Sequence, residues 1–167
     1  LVRPKKQSGH SAPFEPFAVF WYIFGLASPY APCRRSPNVK VCKFGGSSVA
    51  NADQFPRVRA IIADNPDRRI VVVSAPGKRD DGDIKVTDLL ISCGKAALAG
   101  QDTAAHVRAV SDRFAAIVED LGLDGTVVQE IEDGLVDRLN APRVNPNRFM
   151  DAIKAAGEDF CAQLFAA

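Results

Sequence analysis

The segment VKVCKFGGSSVA, residues 39–50, decides the fold of this chain. It opens with a β-branched run and ends in two glycines and two serines, which is typical of a buried strand that leads into a turn. A second run of this kind, RIVVVSA at residues 69–75, ends at Pro76 and Gly77. Between the two runs the sequence predicts one helix, from about Asp53 to Ala63. Strand, helix and strand together predict a parallel α/β unit.

The first helix is expected to bury Val58, Ile61 and Ile62 on its inner face. After the second strand, apolar residues recur at intervals of three and four, which predicts helices through residues 86–93, 107–121 and 128–139. A polar loop, NAPRVNPNR, then precedes a last helix that is expected to start at about Met150. The length of 167 residues, 47% hydrophobic and 25% charged, suits one ordinary globular core.

The first 38 residues differ from the rest in charge and in aromatic content. They carry five basic residues and one acid, whereas residues 39–167 carry sixteen and nineteen. Seven of the thirteen aromatic residues also lie there, yet the solidly apolar stretch 17–27 is shorter than the roughly 20 residues that a membrane-spanning helix needs. Residues 1–38 are therefore predicted to be a leader outside the core, such as upstream translated sequence, and no membrane partner is expected.

Charge and cysteine usage exclude further classes of function. A net charge of +1 gives no basic field for nucleic acid, so nucleic acid is not an expected partner. The four cysteines stand apart, without a CxxC pair. They are expected to be reduced and mostly buried, which favours the cytoplasm. The cysteines are Cys33, Cys42, Cys93 and Cys161.

The first strand leads directly into a candidate phosphate site, formed by Lys43, Gly45, Gly46 and Ser47. In an open α/β sheet, ligands bind at the carboxyl ends of the strands, where glycines let the backbone approach phosphate oxygens. A lysine at the strand end can neutralise the charge of a transferring phosphoryl group. The pattern GxxxxGK[ST] is absent, so this is not a P-loop. An ordinary Gly-Gly turn remains an equal alternative from these residues alone.

Two hydroxyl residues follow on neighbouring elements. Ser74 ends the second strand beside the first loop, and the Pro76–Gly77 pair predicts a type II turn after it. Thr87 opens a helix, where it could equally be the N-cap, as Ser74 could be a turn hydroxyl. The intervening acidic stretch RDDGD, residues 79–83, fits no calcium-loop spacing and is predicted to be a solvated loop.

Four blocks of this sequence resemble the successive motifs of aspartate kinases, members of the amino-acid kinase superfamily. The blocks are KFGGSSVA, VVVSAPGKR, KVTDLL and AAGEDFCAQLFAA. The resemblance covers residues 39–167 and implies the amino-terminal part of a kinase domain. The implied fold is α/β, a truncated three-layer sandwich with a mainly parallel sheet between helices. The implied reaction transfers the γ-phosphate of ATP to the side-chain carboxylate of L-aspartate and gives 4-phospho-L-aspartate, the first step of lysine, threonine and methionine biosynthesis.

The resemblance also implies roles for individual residues. Lys43 would be catalytic and would form the ATP-phosphate site together with Gly45, Gly46 and Ser47. Mg²⁺ would arrive with the nucleotide, and no metal ligand of the chain is implied. Ser47 stands where the family commonly has threonine, which keeps the hydroxyl.

For the aspartate substrate, the resemblance implies contacts from Ser74 and Thr87 and an ion pair between Glu158 and the substrate ammonium group. From its own sequence context Glu158 reads as a solvated helical acid.

The family's later aspartate, arginine, adenine-binding segment and regulatory domains have no counterpart before Ala167, so the fragment is predicted to be inactive alone. A homo-oligomer is expected at full length. Two alternatives remain: another kinase of the superfamily, acting on glutamate, acetylglutamate, carbamate or a nucleoside monophosphate, or a non-catalytic nucleotide-binding fragment.

Overall fold

A computed structural model describes residues 38–167. Two strands and five α-helices make up this part of the chain. In chain order the elements are β1 (Lys40–Phe44), a short 3₁₀ helix (Gly46–Val49), α1 (Gln54–Ala63), β2 (Arg68–Val73), α2 (Val86–Leu98), α3 (Ala104–Leu121), α4 (Thr126–Asn140) and α5 (Pro146–Ala166). The predicted leader, residues 1–38, lies outside the described residues except for Asn38, and its boundary stays a prediction.

The two strands pair in parallel, as the sequence predicts. Val41 lies opposite Ile70 and Lys43 opposite Val72, with helix α1 as the crossover between the strands. Parallel pairing brings the carboxyl ends of both strands to one edge, so the turn after Phe44 and the loop after Val73 are neighbours. A backbone hydrogen bond of 3.0 Å from the Ser74 amide to the Phe44 carbonyl joins them.

One face of the sheet is covered by helices. Phe55 of α1 stacks on Phe165 of α5, with their ring centroids 4.4 Å apart. The opposite face is open: Val41 is 62% exposed and Val72 is 43% exposed. The prediction of strands buried on both faces is therefore wrong for these side chains, because the described helices pack only against the alternate residues. The parallel sheet and one helical layer of the predicted sandwich are present.

Helices α2 to α5 form the larger part of the core. Helix α2 packs against α3 and α5, and α4 packs against the same two helices. Their apolar stripes face inward as the three- and four-residue spacing predicts. The largest fully buried side chains include Phe114, Leu90, Ile131, Leu135 and Ile153. None of the helices between residues 38 and 167 is long and apolar enough to cross a membrane.

Two helix details differ from the prediction. Helix α5 starts at Pro146 rather than at about Met150, because the Asn145 side chain accepts hydrogen bonds from the Asn147 and Arg148 amides and proline suits the first helical position. In α1, Val58 is buried as expected, but Ile61 is 47% exposed. The helix buries only a narrow stripe, so Ile61 falls outside it.

Two of the cysteines lie deep in the core. Cys93 of α2 and Cys161 of α5 are buried and free, and Cys42 of β1 is half-buried. Burial raises the pKa of Cys93 to about 11. Burial, together with the charge of Glu158, raises the pKa of Cys161 to about 12. These thiols therefore stay protonated and inert in the folded molecule. Cys33 lies outside the described residues.

Candidate functional site

A cleft of about 480 Å³ opens at the carboxyl edge of the sheet. It is built from the turn after β1, the loop after β2, the start of α2 and the middle of α5. Five of the seven residues that the sequence singles out line it together: Gly46, Ser47, Ser74, Thr87 and Glu158. Residues as far apart in sequence as Gly46 and Glu158 thus share one cavity.

The floor of the cleft is a close contact between two glycines. The Gly77 amide donates a hydrogen bond of 2.9 Å to the Gly46 carbonyl. A Cβ atom on Gly46 would lie 2.9 Å from the Ala75 carbonyl oxygen, and one on Gly77 would lie 2.7 Å from the Gly46 carbonyl carbon. Both positions therefore need glycine because backbone meets backbone.

This contact also corrects the turn predicted at Pro76–Gly77. A type II turn needs a positive φ at its second central residue. Among the described residues only Gly100 and Gly122 have positive φ, so Gly77 does not form that turn. The glycine is required by the approach of Gly46 instead.

Thr87 enters the cleft from the first turn of α2. The N-cap of this helix is Lys85, and no side chain caps it. The alternative interpretation of Thr87 as the N-cap is therefore wrong, and the half-buried residue lines the cleft.

Glu158 reaches the cleft because α5 approaches the loop after β2 very closely. A Cβ atom on the preceding residue, Gly157, would lie 2.6 Å from the Ala75 Cβ and 3.0 Å from a methyl group of Leu90. The Glu158 carboxylate is exposed to solvent on the cleft side of the helix. The cleft therefore carries one fixed negative charge.

Two lysines that the sequence reasoning did not select also line the cleft. Lys78 follows the β2 loop and Lys85 precedes α2. Both stand inside the quoted blocks VVVSAPGKR and KVTDLL, which is the signal that could have identified them. With these ammonium groups, three hydroxyl residues and Glu158, the cleft can hold a small molecule that carries carboxylates and an amine.

Lys43 and Gly45 do not line this cleft. Lys43 lies two residues after Val41 on β1, so its side chain belongs to the open face of the sheet, where it is exposed. A Cβ atom on Gly45 would find no other atom within 4 Å. Both residues are exposed and precede the first lining residue, Gly46, in the chain.

The acidic stretch after the cleft loop is only partly solvated, contrary to the prediction. Asp80 and Asp81 are exposed, but the Asp83 side chain is 9% exposed. Hydrogen bonds from Arg79, and to a lesser degree the charge of Arg113, hold the pKa of Asp83 well below its usual range. Among residues 38–167, no three acidic, histidine or cysteine side chains are grouped so that they could hold a metal ion.

Comparison with known proteins agrees with this architecture. Residues 38–167 match the family model described as the amino acid kinase family. Aspartokinase 3 of Bacillus subtilis is 44% identical over 129 residues, which make up 77% of this chain and 28% of that protein.

Solved structures give the same relationship. Clostridium acetobutylicum aspartate kinase superposes with a TM-score of 0.59 at 31% identity, over 72% of this chain and 26% of that one. E. coli aspartokinase III, solved in complex with aspartate and ADP, gives 0.58 at 25% identity, over 75% and 27%. The chain thus spans little more than a quarter of the length of these relatives. It belongs to the amino acid kinase family.

Proposed function

We propose that this chain is part of an aspartate kinase, which transfers the γ-phosphate of ATP to the side-chain carboxylate of L-aspartate. The observation that carries the proposal is the cleft, which combines Glu158 with Ser74 and Thr87 beside two lysines. This set of charges complements an amino acid with two carboxylates. The names of the relatives support the same substrate, since one structure contains aspartate and ADP.

In this proposal the aspartate lies between α5 and α2. Glu158 receives the substrate ammonium group, because it is the one acidic residue that lines the cleft. Ser74 and Thr87 donate hydrogen bonds to the substrate carboxylates, and Lys78 and Lys85 supply positive charge beside them. Hydrogen bonds with a charged partner are the stronger kind, so this arrangement fixes the orientation of the acceptor.

The nucleotide phosphates are placed along the backbone from Gly45 to Ser47. The glycines admit close approach there, and the 3₁₀ helix that starts at Gly46 presents backbone amides at its beginning. Lys43 lies near the carboxyl end of β1, just before this turn, and is proposed to stabilise the transferring phosphoryl group. Mg²⁺ enters the proposal as part of the nucleotide substrate, with no residue of this chain as its ligand.

The chemistry requires alignment and neutralisation of charge rather than a general base. A carboxylate is already ionised at neutral pH and is the nucleophile that attacks the γ-phosphorus. Lys43 and the backbone amides offset negative charge on the phosphoryl oxygens, while the cleft residues hold the attacking carboxylate in line. We further propose a cytoplasmic location, supported by the free cysteines Cys42, Cys93 and Cys161 among the described residues, and a homo-oligomer for the complete enzyme.

The test uses a chimeric kinase in which residues 38–167 replace the matching part of Bacillus subtilis Aspartokinase 3. We expect aspartate-dependent ADP release, and Glu158→Gln should raise the KM for aspartate by about 10- to 100-fold, as expected for a lost charged hydrogen bond. Asp151→Asn, an exposed acid on the same helix that does not line the cleft, is the matched control and should leave KM unchanged. Equal KM values for the two variants, or preference for glutamate over aspartate, would contradict the proposal.

A further inference from the structure

The Gly77 peptide stands between the cleft and a buried arginine. Its N–H donates to the Gly46 carbonyl at 2.9 Å, as described above. Its carbonyl oxygen accepts a hydrogen bond of 2.7 Å from Nη2 of Arg113, which lies 36 positions later on α3. The Gly77 peptide, which contacts Gly46 in the floor of the cleft, is therefore also hydrogen-bonded to Arg113, a residue that does not line the cleft.

Arg113 is an unusual residue for its place. It is only 5% exposed, although a guanidinium group always carries charge and is costly to bury. Burial lowers its pKa, which reflects this cost. An apolar residue would pack into α3 without that penalty, so the two contacts that the guanidinium makes need an explanation. One is the Gly77 carbonyl and the other is Asp83.

Asp83 balances the buried charge and closes the loop. Its Oδ2 lies 3.1 Å from Nη1 of Arg113, close enough for an ion pair, although Nη1 is not aligned for a hydrogen bond. The same carboxylate accepts hydrogen bonds of 2.9 Å from the Arg79 amide, Nε and Nη2. Residues 77–83 are thus fixed at one end by Arg113 on the Gly77 carbonyl and at the other end by Asp83.

We propose that Arg113 and Asp83 are positioning residues, which hold the Gly77 peptide against Gly46 and thereby set the geometry between the phosphate turn and the aspartate pocket. The effect on phosphate and aspartate binding rests on the proposed function. The positioning of the Gly77 peptide by Arg113 and Asp83 does not. Lys78, which lines the cleft, immediately follows Gly77, so displacement of this peptide moves both a backbone contact and a charge.

Arg143, which is more exposed than Arg113, provides a control with similar contacts on the same chain. It too is an arginine that donates to two backbone carbonyls, those of Ala97 and Leu139, and it packs over the Phe149 ring. It joins α2, α4 and α5 and does not line the cleft. Variants of either arginine should lower the stability of the fold. Only variants of Arg113 should displace the Gly77 peptide.

The first experiment measures amide hydrogen exchange in the 167-residue chain. Arg113→Met should accelerate exchange of the Gly77 amide by at least about 10-fold more than that of the Ile131 amide in the core of α4. Asp83→Asn should act in the same direction, and Arg113→Lys should fall between, because it keeps the charge but loses the planar fork. Arg143→Met should change the two amides equally. Proportional acceleration of both amides in Arg113→Met would overturn the proposal.

The second experiment measures kinetics in the chimeric kinase at a temperature where all variants are folded. Arg113→Met should lower kcat/KM for aspartate by about 10- to 100-fold. A shift of about 1 Å between two reacting groups has an effect of this size. Arg143→Met should stay within about 3-fold of the parent. Normal kinetics in Arg113→Met with an accelerated Gly77 amide would overturn the catalytic part of the proposal. A parent chimera without aspartate kinase activity would contradict the proposed function, and the exchange result would still decide the geometric part.

Discussion

Gly157 of α5 and Ala75, in the loop after β2, approach so closely that a Cβ atom on the glycine would lie 2.6 Å from the alanine Cβ. Real Cβ atoms do not come this near to each other, so the helix can reach the sheet only where it has no side chain. Glu158 follows directly, and its position in the cleft depends on this contact.

Gly157→Ala should therefore force α5 away from β2 and destabilise the fold by about 1–3 kcal/mol, the usual range for overpacking. The aspartate KM of the chimeric kinase should rise as well, because Glu158 moves with the helix. Gly94→Ala is the control, since its Cβ would meet the Met150 sulfur, the far end of a flexible side chain, at 2.7 Å. A larger loss of unfolding free energy in the control would contradict the argument.

Lys43→Ala should lower the kcat of the chimeric kinase far more than it changes either KM. An ammonium group that acts on charge developed during transfer contributes about 10²- to 10³-fold in rate. Lys40→Ala removes an exposed lysine from the same strand and should leave kcat unchanged. Near-normal turnover in the Lys43 variant would contradict the phosphate role and favour the interpretation of the KFGG segment as an ordinary turn.

Asp83 should make stability depend on pH in a defined window. Its pKa is lowered in the folded state, chiefly by hydrogen bonds from Arg79, so the folded molecule binds its proton less readily than the unfolded chain. The stabilisation is complete above the unfolded pKa of about 3.9 and is lost progressively as the pH falls below it. The difference in unfolding free energy between the parent and Asp83→Asn should thus be constant from pH 5 to 7 and shrink below about pH 4.

Denaturant unfolding at a series of pH values measures this difference. The same comparison in an Arg79→Met background should show a weaker pH dependence, because the main cause of the lowered pKa is gone. A difference that grows as the solution is acidified would have the wrong sign for this interpretation.

Deletion of residues 1–38 should leave the fold of residues 39–167 intact. We propose the boundary from the change in composition there and from the first strand, which begins at Lys40. The midpoint of thermal unfolding should shift by less than about 3 °C, corresponding to roughly 1 kcal/mol for a chain of this size. Loss of cooperative unfolding on deletion would place the boundary elsewhere.

The repeating elements could be predicted from the sequence because their signals are local. The period of the apolar residues identifies both strands and four of the five helices to within a few residues. The predicted start of helix α5 is late because the apolar stripe starts after the first turn, although Asn145 and Pro146 form a recognisable helix start.

Contacts between distant residues could not be predicted in this way. Nothing near Arg113 in the sequence indicates that its guanidinium reaches Gly77, and composition alone makes the Asp83 segment look solvated. The Pro76–Gly77 pair has the residues of a type II turn, but the position is decided by Gly46, which belongs to another element. The resemblance to a family, rather than a local pattern, relates Ser74, Thr87 and Glu158 to one another; all three line the cleft, and their contacts with a substrate stay predictions.

The buried thiols of Cys93 and Cys161 give the molecule two internal reporters of opening. One lies on α2, the helix that carries Thr87, and the other on α5, the helix that carries Glu158. An alkylating reagent can reach a protonated, enclosed sulfur only while its helix is detached, so the labelling rate at each cysteine measures how often that wall of the cleft separates from the core. Opening of the two walls of the cleft can therefore be timed separately in an unmodified chain, without a ligand.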